Sequence, residues 1–123
     1  MLPMMNDTRR KGPPYIASYQ AMLMPLGPVA PRRMFGGWGI FLDGIMFALV
    51  ADGDLYLKAD AENEATFRQA KAKQFTYNAK GKAVAMSYWR PPATVMKDFD
   101  RFTAWAESAL AAARRSKKSR SRS

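Results

Sequence analysis

RRMFGGWGIFLDGIMFALVADGDLYLK, residues 32–58, is the stretch of this sequence that decides the fold. It holds three short apolar runs, and the turn dipeptides Asp43-Gly44 and Asp52-Gly53 separate them. Asp-Gly between strand-forming residues is a strong signal for a two-residue hairpin, because both turn positions need a positive φ. The stretch therefore predicts a three-stranded antiparallel meander.

Further strands are predicted on the same grounds. The first strand contains Gly36-Gly37, and glycines inside a strand pattern indicate a bulge or a sharp bend. The second strand is apolar throughout, which indicates burial on both faces or a central position in the sheet. A second hairpin is predicted around Lys80-Gly81. Five strands result, over residues 29–42, 45–51, 54–59, 75–78 and 83–89.

Three helices are predicted around these strands. The first opens at Pro13-Pro14 and ends at Gly27-Pro28, the second follows Asp60 as its N-cap over residues 61–71, and the third begins near Asp98. Each has a single apolar stripe, so we expect the helices to cover the same face of the sheet. The prediction is a two-layer α+β domain of order α-β-β-β-α-β-β-α with a five-stranded antiparallel sheet. Its other sheet face is left for water or a partner.

Composition excludes several kinds of chemistry. The chain has 123 residues, no cysteine and no histidine. A single domain is expected at this length, and a disulfide framework, a cysteine–zinc site or a histidine-dependent triad cannot form within it. The longest apolar run, Ile45 to Ala51, is far too short for a bilayer span, and Met1 to Lys11 lacks the pattern of a signal peptide. We therefore expect a cytoplasmic protein without a membrane partner.

The positive charge is concentrated at the two ends of the chain. The formal charge is +10, yet residues 13–113 hold 11 cations and 9 anions. The predicted organisation is a disordered segment over residues 1–12, one domain over 13–115 and a disordered basic tail over 116–123. Six cations and no anion lie in the last ten residues: Arg114, Arg115, Lys117, Lys118, Arg120 and Arg122. Two interpretations stay open, a solvated tail and weak nonspecific nucleic-acid binding.

Several ordered blocks resemble the TfoX (Sxy) N-terminal domain family. Besides the meander they are DGDLYLK at residues 52–58, Phe75-Thr76-Tyr77, and MSYW at residues 86–89 followed by Pro91-Pro92. The resemblance covers roughly residues 15–115. It implies a secretion-chaperone-like α+β fold and a role in regulating competence genes as a transcriptional coactivator, without a catalytic residue to carry over. Full-length regulators of this kind carry a second, C-terminal domain, whereas this sequence ends in a basic tail.

Two motifs that could be taken for ligand sites have simpler explanations. Gly36-Gly37-Trp38-Gly39 lacks the helix that must follow a phosphate-binding loop, so a bend accounts for it better. Asp52 and Asp54 are turn formers rather than cation ligands. The nine methionines favour gap-filling in the core over an adaptable contact surface.

Arginines and aromatic residues supply the candidate contact sites. Arg32 and Arg33 point to opposite faces of a strand, and they serve either as structural ion pairs with Asp43 or Glu107, or as contacts to an anion or partner. Aromatic rings across the sheet, together with nearby cations, could form a stacking platform for single-stranded nucleic acid, although ordinary packing is the simpler interpretation. The rings are Trp38, Tyr56, Tyr77, Tyr88 and Trp89, and the cations are Arg33, Lys58, Lys80, Lys82 and Arg90.

These observations favour a non-enzymatic interaction module that acts in transcriptional regulation through a protein partner, such as the transcription machinery. The predicted partner or anion contacts are Arg32, Arg33, Lys58, Tyr88 and Trp89. The alternative is direct, nonspecific nucleic-acid binding by the tail and the aromatic sheet face. An enzyme would have to rely on Lys58, Tyr88 or carboxylates alone. No catalytic residue, metal or cofactor is predicted, and a homodimer through unpaired strand edges is a further expectation.

Overall fold

One six-stranded antiparallel sheet organises the residues that the structure, a computed structural model, describes: 12–34 and 36–122, with side chains as far as residue 118. The strands are β1 (Ala30–Met34), β2 (Gly37–Leu42), β3 (Ile45–Ala51), β4 (Asp54–Lys58), β5 (Lys73–Ala79) and β6 (Lys82–Arg90). Their order across the sheet is β1-β2-β3-β4-β6-β5. The helices are α1 (Pro14–Leu23), α2 (Glu64–Gln69), α3 (Ala93–Met96) and α4 (Phe99–Arg122), and a 3₁₀ turn (Met24–Leu26) extends α1.

Three of the four hairpins follow the predicted turn chemistry. Each has a two-residue loop in which both residues have a positive φ: 53° and 77° at Asp43-Gly44, 51° and 84° at Asp52-Gly53, and 53° and 80° at Lys80-Gly81. This left-handed pair matches the right-handed twist of the flanking strands. The predicted meander and the second hairpin are confirmed.

The predicted first strand is two strands, so the sheet has six strands rather than five. Met34 pairs with Gly37, and the chain reverses direction between them instead of bending within one strand. Gly36 adopts φ +75°, which suits a tight turn. Gly37 lies so close to β3 that a Cβ would be 2.3 Å from the backbone oxygen of Val50. The two glycines thus serve a turn and a close backbone approach, not a bulge.

A bulge does occur, but in β3. Ile40 pairs with Ala48 and the next residue, Phe41, pairs with Met46, so Phe47 is an extra residue on the β3 side. Phe47 and Ala48 consequently both face the helix layer, where both are fully buried. Met46 and Leu49 belong to a second cluster on the other face. Burial on both faces of this strand is confirmed.

The helices cover one face of the sheet, as predicted. The main core joins residues of α1, α2 and α4 to the inner faces of β2, β3, β4 and β6, and its largest fully buried members include Phe47, Phe67, Ile16, Leu23 and Ile40. α4 packs on β3 and β4, and α1 packs on α4 and β1. In the described part of the chain, no helix has both the length and the apolar character needed to cross a membrane.

A buried asparagine fixes the connection between β4 and α2. Asn63 accepts a hydrogen bond from the backbone N–H of Asp60 (2.7 Å) and donates through Nδ2 to the Ser108 hydroxyl on α4 (3.1 Å). The Asp60 carboxylate accepts from the backbone N–H of Glu62 (3.0 Å). These bonds hold residues 60–63 in a turn, so α2 begins at Glu64, later than the predicted start at residue 61.

The last helix begins as predicted and runs further than predicted. Asp98 caps α4 by accepting a hydrogen bond from the Arg101 N–H (3.1 Å). The helical backbone then continues to Arg122, whereas the sequence predicts a disordered tail from residue 116. Lysine and arginine are good helix formers, which explains how a helix packed on the sheet over its first half continues. The N-terminal segment over residues 1–11 lies outside the described residues, and the domain limits stay a prediction.

We expect Phe102→Ala to lower the free energy of unfolding by about 3–5 kcal/mol, because it leaves a cavity in a packed core. Phe102 is 2% exposed, whereas Phe99, three residues earlier on α4, is 66% exposed. Phe99→Ala is the matched control and should change stability by less than about 0.5 kcal/mol. Urea denaturation measures both values, and equal losses would contradict the assignment of the core.

Candidate interaction face

The sheet face turned away from the helices carries an apolar groove of about 480 Å³. We name it the methionine groove and define it by Met34, Met46, Leu49, Phe75, Met86 and Tyr88, all of which line it. Leu49, Tyr56 and Tyr88 form the buried base of this face, and Met46, Phe75 and Met86 pack against them partly exposed. The residues come from β1, β3, β5 and β6, so the groove depends on the tertiary fold.

A glycine makes room for two of the methionines. Gly39 on β2 faces the groove side of the sheet and is buried. A Cβ at this position would lie 2.5 Å from Met34 Sδ and 3.0 Å from Met46 Sδ. Both thioethers therefore lie over the glycine, from the strands on either side of it. A flexible, polarisable side chain adapts to partners of different shape, which makes this floor suited to binding.

The hairpin of β5 and β6 forms the opposite side of the groove. β6 pairs with β4 through Trp89 and Tyr88, and the Ala59 N–H just after β4 donates a hydrogen bond to the Ser87 carbonyl (2.8 Å). Residues 82–85 of β6 pair with β5. Tyr77 and Met86 on this hairpin nevertheless line the same cavity as Met34. Phe75 secures the base of the hairpin by an edge-to-face contact with Tyr56, with ring centroids 5.0 Å apart. The hairpin thus leans over the open face.

The predicted contact residues lie on two different faces. Arg32 lies over the Phe41 ring at 5.4 Å on the groove side, and Arg33 lies over the Trp38 ring at 5.6 Å towards the main core. This confirms that the two arginines point to opposite faces. Their predicted ion pairs with Asp43 or Glu107 are wrong: Asp43 pairs with Arg114 (3.9 Å), and no described carboxylate pairs with either arginine.

Lys58 and Tyr88 meet on the groove side. The Lys58 ammonium lies 5.3 Å from the Tyr88 ring centroid and donates to the Ser87 hydroxyl (2.8 Å). Trp89, predicted beside them, points into the main core, where it stacks on Phe67 and is 5% exposed. Of the five predicted contacts, Arg32, Lys58 and Tyr88 therefore share one face, and Arg33 and Trp89 do not.

The predicted aromatic platform for nucleic acid is not assembled. Trp38 and Trp89 belong to the main core, and Tyr56 and Tyr88 are buried beneath the groove. Tyr77 remains exposed among the proposed stacking rings. Burial, followed by the nearby Asp54 carboxylate, raises the pKa of Tyr56 above its ordinary value, so this phenol stays neutral. Base stacking needs several open ring faces, and this sheet does not offer them.

The other motifs considered from sequence take structural roles. Residues 36–39 form a reverse turn and the start of β2, rather than the predicted bend within one strand, and the segment that follows them is a strand and not a helix. Asp52 lies in the β3–β4 turn, and Asp54 forms an ion pair with Arg90 (3.3 Å). In the described ranges, no three acidic side chains come together as a metal site.

Two cations of the predicted tail are held by carboxylates. Arg115 makes a forked contact with Asp60, with distances of 2.7 Å and 2.9 Å, and also pairs with Glu62 (3.1 Å). Arg114 is close to Asp43. Lys117 and Lys118 are exposed and have no carboxylate partner in the described part of the chain. The side chains of Arg120 and Arg122 lie outside the described residues.

Sequence reasoning missed the methionines of the groove. It favoured core gap-filling for this residue type, and Met22 and Met96 do pack against the main core. Met34, Met46 and Met86 instead face the groove. Strand alternation alone places Met86 on the same face as Tyr88. It does not give the faces of Met34 and Met46, because these depend on the unrecognised β1–β2 turn and on the bulge at Phe47.

Together, the fold and the groove define a small α+β domain with a helix layer on one side and an apolar interaction face on the other. The sequence profile of the TfoX N-terminal domain family matches residues 21–113, and the chain belongs to this family. The resemblance noted in the sequence is thereby confirmed.

Two characterised relatives show how far the similarity extends. Protein Sxy of Escherichia coli K12 is 28% identical over 101 residues, which cover 82% of this chain and 48% of Sxy. The DNA transformation protein TfoX1 of Aliivibrio fischeri is 36% identical over 64 residues, which cover 52% of this chain and 31% of TfoX1. The chain thus spans less than half the length of either relative.

We expect the Asp60–Arg115 pair to make stability depend on acidity. The hydrogen bond from Arg115 holds the pKa of Asp60 below its ordinary value of 3.8. Because the folded pKa is the lower one, the carboxylate stabilises the fold above about pH 4, and this contribution disappears as the pH falls through the folded value. Asp60→Asn should therefore lower the Tm clearly at about pH 7 and much less at a pH below the folded pKa of Asp60.

Thermal unfolding followed by circular dichroism at both pH values measures this difference. Glu107→Gln is the control, since Glu107 is exposed and lacks an ion pair among the described residues. An equal Tm loss for Asp60→Asn at both pH values would show that the carboxylate acts only through its neutral hydrogen bonds.

Proposed function

We propose that this chain is a non-enzymatic, cytoplasmic regulatory domain of the TfoX/Sxy type that acts in the control of DNA transformation by binding a protein partner. The proposal rests on membership of the family and on the name of TfoX1 as a DNA transformation protein. The observation that carries the binding role is the methionine groove. It is an apolar surface on a sheet face that the helices leave open.

The composition of the groove supports a protein partner. Apolar surface that a fold leaves open costs free energy in water, and where it is contiguous it marks interaction sites. Methionine and aromatic residues are enriched in the centres of protein–protein interfaces. The described residues that line the groove include no charged side chain, whereas a surface for nucleic acid would present cations to the phosphates.

The same geometry supports a role without catalysis. Lys58, the lysine proposed for an enzymatic alternative, lies over the Tyr88 ring and donates to Ser87. The carboxylates Asp54, Asp60 and Glu64 are engaged with arginines. These are structural pairings, and none of them places a nucleophile beside a base.

We expect Met86→Gln to impair regulation, because it places a polar amide of nearly the same size in the groove. Burying a methionine side chain at an interface contributes about 1.5–3 kcal/mol, so partner binding should weaken about tenfold or more. The measurement is the transcript level of DNA-uptake genes in the native host, with the variant replacing the wild-type gene.

Met24→Gln is the matched control. Met24 is 66% exposed on the 3₁₀ turn, away from the groove. Normal transcript levels in this control and reduced levels in Met86→Gln are the expected pair of results. A Met86→Gln variant that is folded, present at normal abundance and fully active would refute binding through the groove.

The alternative, direct nucleic-acid binding, is favoured by one observation: Lys117 and Lys118 project from the end of α4 without acidic partners among the described residues. We expect only weak, nonspecific binding from this source, with a Kd of about 10⁻⁴–10⁻⁶ M at physiological salt. Replacing Lys117, Lys118, Arg120 and Arg122 by glutamine in the full chain should remove most of it. Fluorescence anisotropy with a random-sequence duplex across a salt series tests this, and tight binding that survives the four substitutions would make the alternative the better proposal.

A further inference from the structure

The charges of the domain are divided between its two faces. Arg32 pairs with Gly39 on β2, which faces the groove. Lys82 is two residues before Val84 and four before Met86 on β6, so its side chain lies on the same side of the strand as theirs. Both cations therefore belong to the groove face. Lys58 lies on the same face over Tyr88. Asp54 is two residues before Tyr56 on β4 and so lies on the same side of the strand, and its carboxylate forms an ion pair with Arg90 (3.3 Å). Cations therefore dominate the border of the groove.

None of the other carboxylates in the described part of the chain lines the methionine groove, although Asp60 and Glu62 border a neighbouring cleft that shares Met46, Met86 and Tyr88 with it. Asp60 and Glu62 are held by Arg115, Glu64 is held by Arg68, and Asp43 lies near Arg114. Three more belong to α4 or its cap, in the helix layer: Asp98, Asp100 and Glu107. Asp52, in the β3–β4 turn, is exposed, and its charge acts on Tyr56.

This distribution argues against a second copy of the chain as the occupant. In a symmetric dimer the same patch meets itself, so the apolar floors would pair but the cationic borders would be brought together. Juxtaposed like charges oppose association, and a chain of net charge +10 adds long-range repulsion. The face instead complements a partner that is apolar at its centre and acidic at its margins.

The shape of the groove indicates which kind of partner segment it can bind. It is concave, about 480 Å³ in volume, bounded on one side by Met34 and Met46 and on the other by Tyr77 and Met86 of the leaning hairpin. Amphipathic helices bind methionine-lined apolar grooves through side chains spaced at one-turn intervals. A helix also presents its polar residues away from the groove floor, where acidic side chains would reach Arg32 and Lys82.

We propose that the methionine groove binds an acidic amphipathic helix of a partner protein, with large apolar side chains in the groove and carboxylates on Arg32 and Lys82. This inference rests on the proposed function and adds to it the chemistry of the partner. Among the described residues, no carboxylate forms an ion pair with Arg32 or with Lys82.

The test uses the full chain and three labelled synthetic helices of about 18 residues, roughly 27 Å long. One has leucine and phenylalanine on one side and glutamate on the other. In the second, lysine replaces glutamate, and in the third, alanine replaces the large apolar residues. Fluorescence anisotropy should show that the acidic amphipathic helix binds at least about tenfold more tightly than either counterpart.

Variants of the chain locate the site. Met86→Gln should weaken binding of the acidic helix about tenfold, and the double change Arg32→Gln with Lys82→Gln about three- to tenfold, with a smaller dependence on salt. Met24→Gln should leave it unchanged. Because Arg32 and Lys82 are exposed, their variant stays informative if Met86→Gln disturbs the fold. Methyl NMR of the wild type gives a further readout: the methyls of Met34, Met46 and Met86 should shift and that of Met24 should not.

Several outcomes would overturn the inference. These are equal binding of the lysine helix, equal binding of the alanine helix, or affinity that is indifferent to both groove variants. Displacement of the acidic helix by an oligonucleotide would assign the face to nucleic acid. A dimer in light scattering that Met86→Gln dissociates would assign the groove to a second copy.

The outcomes also separate this inference from the proposed function. If Met86→Gln abolishes regulation in the host while the acidic helix does not bind, the groove serves a partner of different chemistry. If the acidic helix binds as expected while Met86→Gln regulates normally, the chemistry of the groove is correct and the proposed regulatory use of it is wrong.

Discussion

The structure depends on one strand that is apolar on both sides. β3 lies between β2 and β4, and its extra residue, Phe47, lets two consecutive side chains enter the main core while Met46 and Leu49 stay on the other face. A strand of this kind must be covered twice, because apolar surface left in water is costly on either side. The helices supply the first cover. On the opposite face of β3, side chains of β5 and β6 give only partial cover, and the part that they leave open is the methionine groove.

Much of the fold could be predicted from local sequence chemistry. The Asp43-Gly44, Asp52-Gly53 and Lys80-Gly81 turns were identifiable because glycine with a tolerant partner marks positions of positive φ. The β1–β2 turn was missed because the residue before Gly36 in the sequence is phenylalanine, which is not a typical turn former. The result was one strand too few. The bounds of α2 were also missed, since they depend on Asn63 reaching Ser108, a contact distant in sequence.

The candidate site was predicted only in part, because some of its features depend on contacts between residues that are distant in the sequence. Alternation along a strand separated Arg32 from Arg33 correctly, since it needs only local geometry. It did not place Met34 and Met46 together, because this requires the β1–β2 turn, the bulge and the absent side chain of Gly39. Whether a surface cation is paired is likewise a tertiary property. Arg115 looks like a tail residue in sequence, yet Asp60 holds it from a loop 55 residues away.

The attachment of the β5–β6 hairpin has a consequence for motion. β6 is joined to β4 by two residue pairs and by the adjacent hydrogen bond from Ala59 to Ser87, whereas β5 and β6 pair with each other over most of their length. Its backbone amides near Lys80 can therefore open to solvent as one cooperative unit while the central strands stay closed, giving slow and fast classes of hydrogen exchange within a single sheet. Because the outer part of the hairpin lies outside the main core, such an opening would change the width of the methionine groove and allow it to accept partners of different diameter.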